Sequence, residues 1–173
     1  MQMIMDVGIG NLKIQKIKIK FVMKLSNNFS LEELIKSDTA NKCGIKNTPN
    51  SLELKNLTNL AIKILQPIRD AFGKPIIISS GFRCVQLNKK VGGASNSDHI
   101  FGAAADIHTS SNTYEDNKKL YDTIISLKNK GIITCRQIIW EYGKKNVGPK
   151  WIHISINHSK NSYKKNQLVY VGI

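Results

Sequence analysis

The stretch Ser-Asp-His-Ile-Phe-Gly-Ala-Ala-Ala-Asp, residues 97–106, carries two polar groups on either side of a run of small side chains. The pattern predicts a loop that ends at Gly102, followed by a short strand that leads into Asp106. A carboxylate at the end of such a strand is costly to bury unless a cation or several donors meet it. Because His99 and Asp106 are separated by few and mostly small residues, the two side chains can converge on one ion.

A predicted hairpin nearer the C-terminus supplies candidate partners. Residues 137–142 and 151–156 have the composition of strands. In a strand, alternate side chains share a face, so Glu141 lies on the face of residues 137 and 139, and His153 on that of residues 151 and 155. Antiparallel pairing across the connecting loop places Glu141 opposite or diagonal to His153.

Together these residues form a candidate metal site. Two imidazoles and one carboxylate, from His99, His153 and Asp106, suit Zn²⁺ with a fourth position open for water. Glu141 is then placed to take a proton from that water. Histidine and aspartate pairs are common, so spacing alone also allows a structural role for each of them.

A longer series of motifs contains these residues. In chain order it reads Ser80-Gly81-Phe82-Arg83-Cys84, Leu87-Asn88, Val91-Gly92-Gly93, Ser97-Asp98-His99, Gly102, Ala104-Ala105-Asp106 and Trp151-Ile152-His153-Ile154-Ser155. In order and spacing the series resembles the D-alanyl-D-alanine metallopeptidase family, which includes zinc DD-carboxypeptidases and the L-alanyl-D-glutamate peptidases of phage endolysins. The resemblance covers about residues 29–155.

The resemblance implies a role for each matched residue. His99, Asp106 and His153 match the zinc ligands. Arg83 matches an arginine that binds and polarises the substrate carbonyl, where a fixed guanidinium offers paired donors to developing negative charge. Ser97 and Trp151 are further predicted substrate contacts, although Trp151 is equally well interpreted as part of a groove wall.

One position departs from the family pattern. Several members carry the catalytic glutamate three residues before the last histidine ligand, and here that residue is Lys150. We therefore predict Glu141 as the general base, with Asp98 as the next candidate. The resulting hypothesis is a zinc peptidase that cuts peptidoglycan stem peptides. It is either a DD-carboxypeptidase or an L-Ala-D-Glu-type endopeptidase, and a phage lysin is one example of such an enzyme. The alternative is a non-catalytic zinc-containing binding module of the same fold, like the hedgehog signalling domain.

Composition limits the remaining possibilities. The chain has 173 residues, with 26 basic and 12 acidic side chains and a net charge of +14. This surplus favours a polyanionic partner, such as an anionic cell wall. Nucleic acid is an unlikely partner because no recognition motif is present. No apolar stretch reaches the roughly 20 residues of a membrane span, and the three cysteines form no disulfide pattern.

The chain is predicted to be α+β, with helices packed on a small antiparallel sheet that carries the zinc site. Residues 1–22 are interpreted as a poorly ordered extension and residues 23–173 as the zinc peptidase domain. No signal-peptide pattern is found, so we expect the protein to act in the cytoplasm or to reach the cell wall without its own leader.

His108 is an alternative candidate for a metal ligand or a substrate contact, and His158 is predicted to be solvated. The predicted elements are helices over 30–37, 54–72, 84–91 and 114–130 and strands over 76–78, 102–107, 137–142, 151–156 and 168–171, with a kink at Pro67.

Overall fold

A computed structural model describes residues 22–160 and 167–171 of the chain. The α-helices are α1 (Leu31–Ile35), α2 (Asp38–Lys42), α3 (Ser51–Leu60), α4 (Gln66–Phe72), α5 (Val85–Lys90) and α6 (Tyr114–Asn129). The strands are β1 (Ile76–Ser80), β2 (Ala104–Thr109), β3 (Gln137–Glu141), β4 (Trp151–Ser155) and β5 (Gln167–Val171). The predicted extension over residues 1–22 lies almost entirely outside the described residues. Within the described part of the chain, no helix has the length and hydropathy needed to cross a membrane.

The strands form one sheet in the order β1-β2-β4-β3-β5. The prediction of an antiparallel sheet is right for the first four strands and wrong for β5, which runs parallel to β3. Both edges of β4 are already occupied by β2 and β3, so β5 cannot form a hairpin with β4 and pairs instead with the free edge of β3. Alternation of side chains is the same in either direction, and the sequence pattern therefore does not fix this orientation.

Local signals in the sequence determine where the helices begin. Ser30 and Glu33 form the capping box at the start of α1. The predicted kink at Pro67 takes another form, because a π-helical segment, Ala61–Leu65, joins α3 to α4. There the Gln66 backbone N–H donates to the carbonyl of Ala61. The wider turn accommodates a proline ring that clashes with the carbonyl four residues earlier in a regular helix.

The two faces of the sheet have different surroundings. One face packs against the helices and forms a core that includes Ala105, Ile107, Ile138, Trp140, Ile152 and Ile154. The opposite face carries Asp106, His153 and Glu141, which line a cleft. The strand predicted over residues 76–78 lies at the edge of the sheet, and Ile77 is 40% exposed. The period of two along each strand thus separates the core from the polar side chains.

Candidate metal centre

Three side chains from separate parts of the chain meet at the base of this cleft. Asp106 in β2 pairs directly with His153 in β4, so the sheet itself holds these two residues side by side. His99 comes from a 3-10 turn, Asp98–Phe101, which ends at Gly102 with a φ of 65°. His99 Nε2 lies 3.2 Å from Asp106 Oδ1 and 3.2 Å from His153 Nδ1. The remaining distance, from His153 Nδ1 to Asp106 Oδ1, is 2.9 Å.

These distances fit a small divalent cation. Zinc–nitrogen and zinc–oxygen bonds of about 2.0–2.1 Å in a tetrahedral site separate neighbouring ligand atoms by about 3.3 Å. The Nδ1 atom of His99 lies 2.6 Å from the carbonyl oxygen of Gly81 and donates its hydrogen there. This contact fixes the tautomer in which the Nε2 lone pair points into the site. The structure therefore brings together the three residues that the sequence predicted as ligands.

The electrostatics of the centre also suit a metal. Burial opposes ionisation of Asp106, but His99 and His153 outweigh it and hold the pKa of this carboxyl well below its usual range. Burial lowers the pKa of His99, which favours the neutral imidazole. A charged carboxylate and a neutral imidazole are the protonation states in which these groups bind metal.

Glu141 lies beside the three ligands on the same face of the sheet. It pairs with Trp151 and is therefore diagonal to His153, one of the two placements that the hairpin pattern predicted. Its side chain is half-buried, and burial together with the charge of Asp106 raises its pKa. Lys150, three residues before His153, is exposed and holds its ammonium 5.7 Å from the ring centre of Trp151.

Arg83 lines the same cleft, which has a volume of about 720 Å³. Its Nε atom is buried and has no hydrogen-bond partner among the described residues. Burial lowers the pKa of the guanidinium, while the carboxylates of Asp106 and Glu141 act in the opposite direction. The backbone N–H of Arg83 donates to the carbonyl of His99 at 3.2 Å, which ties this arginine to the turn that carries a ligand.

The two predicted substrate contacts also line the cleft. The Ser97 hydroxyl accepts a hydrogen bond from the backbone N–H of His99 at 3.4 Å and so caps the ligand-bearing turn. The Trp151 ring packs against Tyr142 with ring centres 5.1 Å apart. Tyr142 also lines the cleft and was not predicted to do so, because alternation in the predicted strand 137–142 places it on the face opposite to Glu141.

Three other polar residues that the sequence analysis named lie outside the cluster of candidate metal ligands. The prediction that His158 is solvated is wrong: its side chain is 1% exposed and contacts the carboxylate of Asp98. Asp98, the second candidate base, is buried and also pairs with Arg136. His108 lies outside the metal cluster, and its Nδ1 atom contacts the carbonyl of Thr109 at 2.7 Å.

Nitrogen and oxygen ligands at the base of a cleft, with a carboxylate and an arginine beside them, are the arrangement of a mononuclear zinc hydrolase. Comparison with known proteins agrees with this class. A family model described as Peptidase M15 matches residues 27–139, so the chain belongs to the Peptidase M15 family and the resemblance seen in the sequence is confirmed.

A zinc D-Ala-D-Ala carboxypeptidase from Streptomyces albus G is 57% identical to this chain over 44 residues. That segment is 25% of this chain and 17% of the relative, so the chain spans less than a fifth of the relative's length. Glu141 and His153 lie beyond the residues that the family model matches. Their position beside His99 and Asp106 is therefore evidence that comes from the structure.

Proposed function

We propose that the protein is a zinc-dependent peptidase that hydrolyses peptide bonds in peptidoglycan stem peptides. The observation that carries this proposal is the cluster of His99, Asp106 and His153 at the base of an open cleft, with Glu141 and Arg83 on its walls. Membership of the Peptidase M15 family supports the peptidase activity. The printed name of the Streptomyces albus G relative supports both zinc and a D-Ala-containing substrate.

Glu141 is the proposed general base. When bound by the three ligands, Zn²⁺ polarises a carbonyl and lowers the pKa of a water molecule. The Glu141 carboxylate then accepts a proton from the attacking water and returns it to the nitrogen of the leaving amine. Burial and the charge of Asp106 raise the pKa of Glu141, and a more basic carboxylate accepts a proton more readily.

Arg83 is the proposed electrophilic partner. Arg83 lines the cleft, and its guanidinium has five N–H donors. These donors stabilise the negative charge that develops on the carbonyl oxygen during attack. Since the Arg83 backbone is hydrogen-bonded to His99, the guanidinium starts from a fixed point relative to the metal ligands.

The cell wall is the proposed site of action. A net charge of +14 favours association with an anionic polymer, at a rate that decreases as salt screens the attraction. The proposal includes both a DD-carboxypeptidase and an L-Ala-D-Glu-type endopeptidase, and a phage lysin is one setting in which such an enzyme works. The products of digestion distinguish these activities.

The proposal is tested by mass spectrometry of purified peptidoglycan after incubation with the protein. We expect new fragments from cleavage of the stem peptide with zinc present and none with a chelator. The mass of each fragment identifies the bond. Arg83→Ala should reduce cleavage. Arg69→Ala removes an arginine in α4 outside the cleft and should leave cleavage unchanged. Absence of cleavage by zinc-loaded wild type would instead support the non-catalytic binding module.

A further inference from the structure

A buried polar cluster lies next to the metal centre and takes no part in the proposed chemistry. The Asp98 side chain is 3% exposed, and its Oδ2 atom accepts a hydrogen bond from Arg136 Nη1 at 3.0 Å. Its Oδ1 atom lies 3.1 Å from Nε2 of His158. We call Asp98, Arg136 and His158 the Asp98 cluster. A buried carboxylate is costly without such partners, and charge-assisted hydrogen bonds are the strong kind.

The hydrogen bonds of His158 define its role in this cluster. The backbone N–H of Lys160 donates to His158 Nδ1 at 3.3 Å, so the proton of the neutral ring is on Nε2. Nε2 is therefore the atom that donates to Asp98. The imidazole also stacks on Phe101 with ring centres 4.4 Å apart, and Phe101 is the last residue of the turn that contains His99.

The three metal ligands differ in how they are held. Asp106 and His153 are neighbours in a strand pair, so the ladder between β2 and β4 fixes their separation. His99 lies on a turn outside the sheet. Asp98 is adjacent to His99. It contacts Arg136, which lies just before β3, and His158, which lies in the segment after β4. The Asp98 cluster thus joins the turn to the strands that carry Glu141 and His153.

We propose that the Asp98 cluster is a positioning device that holds the His99 turn at the distance from the sheet that metal binding requires. This inference rests on the proposed function only in that the centre binds zinc. Residues that orient metal ligands from outside the coordination sphere typically change metal affinity by about ten- to a hundredfold. Neither Arg136 nor His158 belongs to the motifs that identify the family, so the sequence pattern does not reveal the cluster.

The test measures zinc affinity of the full chain by competition with a chromogenic chelator. His158→Phe keeps an aromatic ring against Phe101 but removes the donor to Asp98, and we expect its zinc Kd to rise about ten- to a hundredfold. His158→Gln restores an N–H near the position of Nε2 and should keep the Kd within about threefold of wild type. His108→Phe makes the same chemical change on β2, away from the cluster, and should leave the Kd unchanged.

Two further measurements separate positioning from stability. The visible absorption of the cobalt-substituted protein reports ligand geometry, and we expect His158→Phe to change its intensity. Circular dichroism of the metal-free variants verifies the fold. If His158→Phe does not fold, Asp98→Asn replaces it, with the same expected loss of affinity.

Wild-type affinity and an unchanged cobalt spectrum in a folded His158→Phe or Asp98→Asn would overturn the inference. Equal losses in His158→Phe and His158→Gln would also overturn it, because the donor would then be irrelevant. Absence of zinc binding by wild type would instead contradict the proposed function. Zinc binding without hydrolysis would contradict only the peptidase, and the affinity comparison would still decide the role of the cluster.

Discussion

Replacing Glu141 by glutamine is the most informative perturbation of this protein. Glu141 pairs with Trp151, and His153 is two residues further along β4, so the Cα atoms of Glu141 and His153 are diagonal neighbours about 7 Å apart. Both side chains lie on the same face of the sheet and line the cleft. Glutamine keeps the size and the hydrogen-bonding shape of the side chain but cannot accept the proton.

The expected loss falls on turnover. General-base catalysis contributes about a hundred- to ten-thousandfold, which is about 3 to 5 kcal/mol of transition-state stabilisation. We therefore expect kcat of Glu141→Gln to fall by that factor while KM and zinc content stay near wild type. Glu141→Asp shortens the side chain by one methylene and should give an intermediate kcat.

The assay is release of peptide from a defined stem-peptide substrate by zinc-loaded protein, followed by chromatography. Glu115→Gln is the matched control, because Glu115 is exposed on α6 and lies outside the cleft. A wild-type kcat in zinc-loaded Glu141→Gln would refute the assignment of the base. The position of Glu141 beside the metal ligands would then result from the pairing of β3 with β4 and would have no catalytic role.

Other perturbations test the rest of the centre. His99→Ala, Asp106→Ala or His153→Ala should each lose bound zinc, measured by elemental analysis after dialysis, and full zinc content in all three would contradict the ligand set. Arg83→Ala should keep zinc and lose about 3 to 4 kcal/mol of transition-state stabilisation, measured as kcat/KM, with Arg83→Lys recovering only part because a single ammonium cannot make paired contacts. In metal-free protein, the lowered pKa of Asp106 stabilises the fold above the ordinary pKa of an aspartate, and this contribution is lost as the pH falls below about 4. Urea unfolding between about pH 5 and 3 should therefore show a shallower loss of unfolding free energy for Asp106→Asn than for wild type, and equal slopes would contradict this linkage.

Much of the local structure could be predicted because short-range chemistry determines it. The capping box of Ser30 and Glu33 starts α1 where the sequence indicates, and α6 ends one residue before the predicted boundary. Alternation along β3 and β4, with antiparallel pairing, correctly predicted that Glu141 lies diagonal to His153. These features depend on neighbours within a few residues, or on the fixed period of a strand.

The motif around His99 and Asp106, with its small residues, indicated a metal site, and the longer series of motifs from Ser80 to Ser155 indicated a family. The resemblance also matched His153 to the third ligand, but the strand pairing that holds it beside Asp106 came only from the tertiary structure, because it depends on the order of the strands. The parallel β5 also depends on which strand edges remain free once the others have paired. No local pattern records such long-range choices.

Burial of polar groups was the property that sequence predicted least well. His158 follows a strand in a polar segment, where a solvated side chain is the ordinary expectation, yet its imidazole is 1% exposed against Asp98. The partner that makes its burial favourable lies 60 residues earlier in the chain. Sequence determined the residues that carry the chemistry and the face on which they lie. Tertiary structure decided which polar side chains meet, because the free energy of burying a charge depends on partners that only folding brings within hydrogen-bond distance.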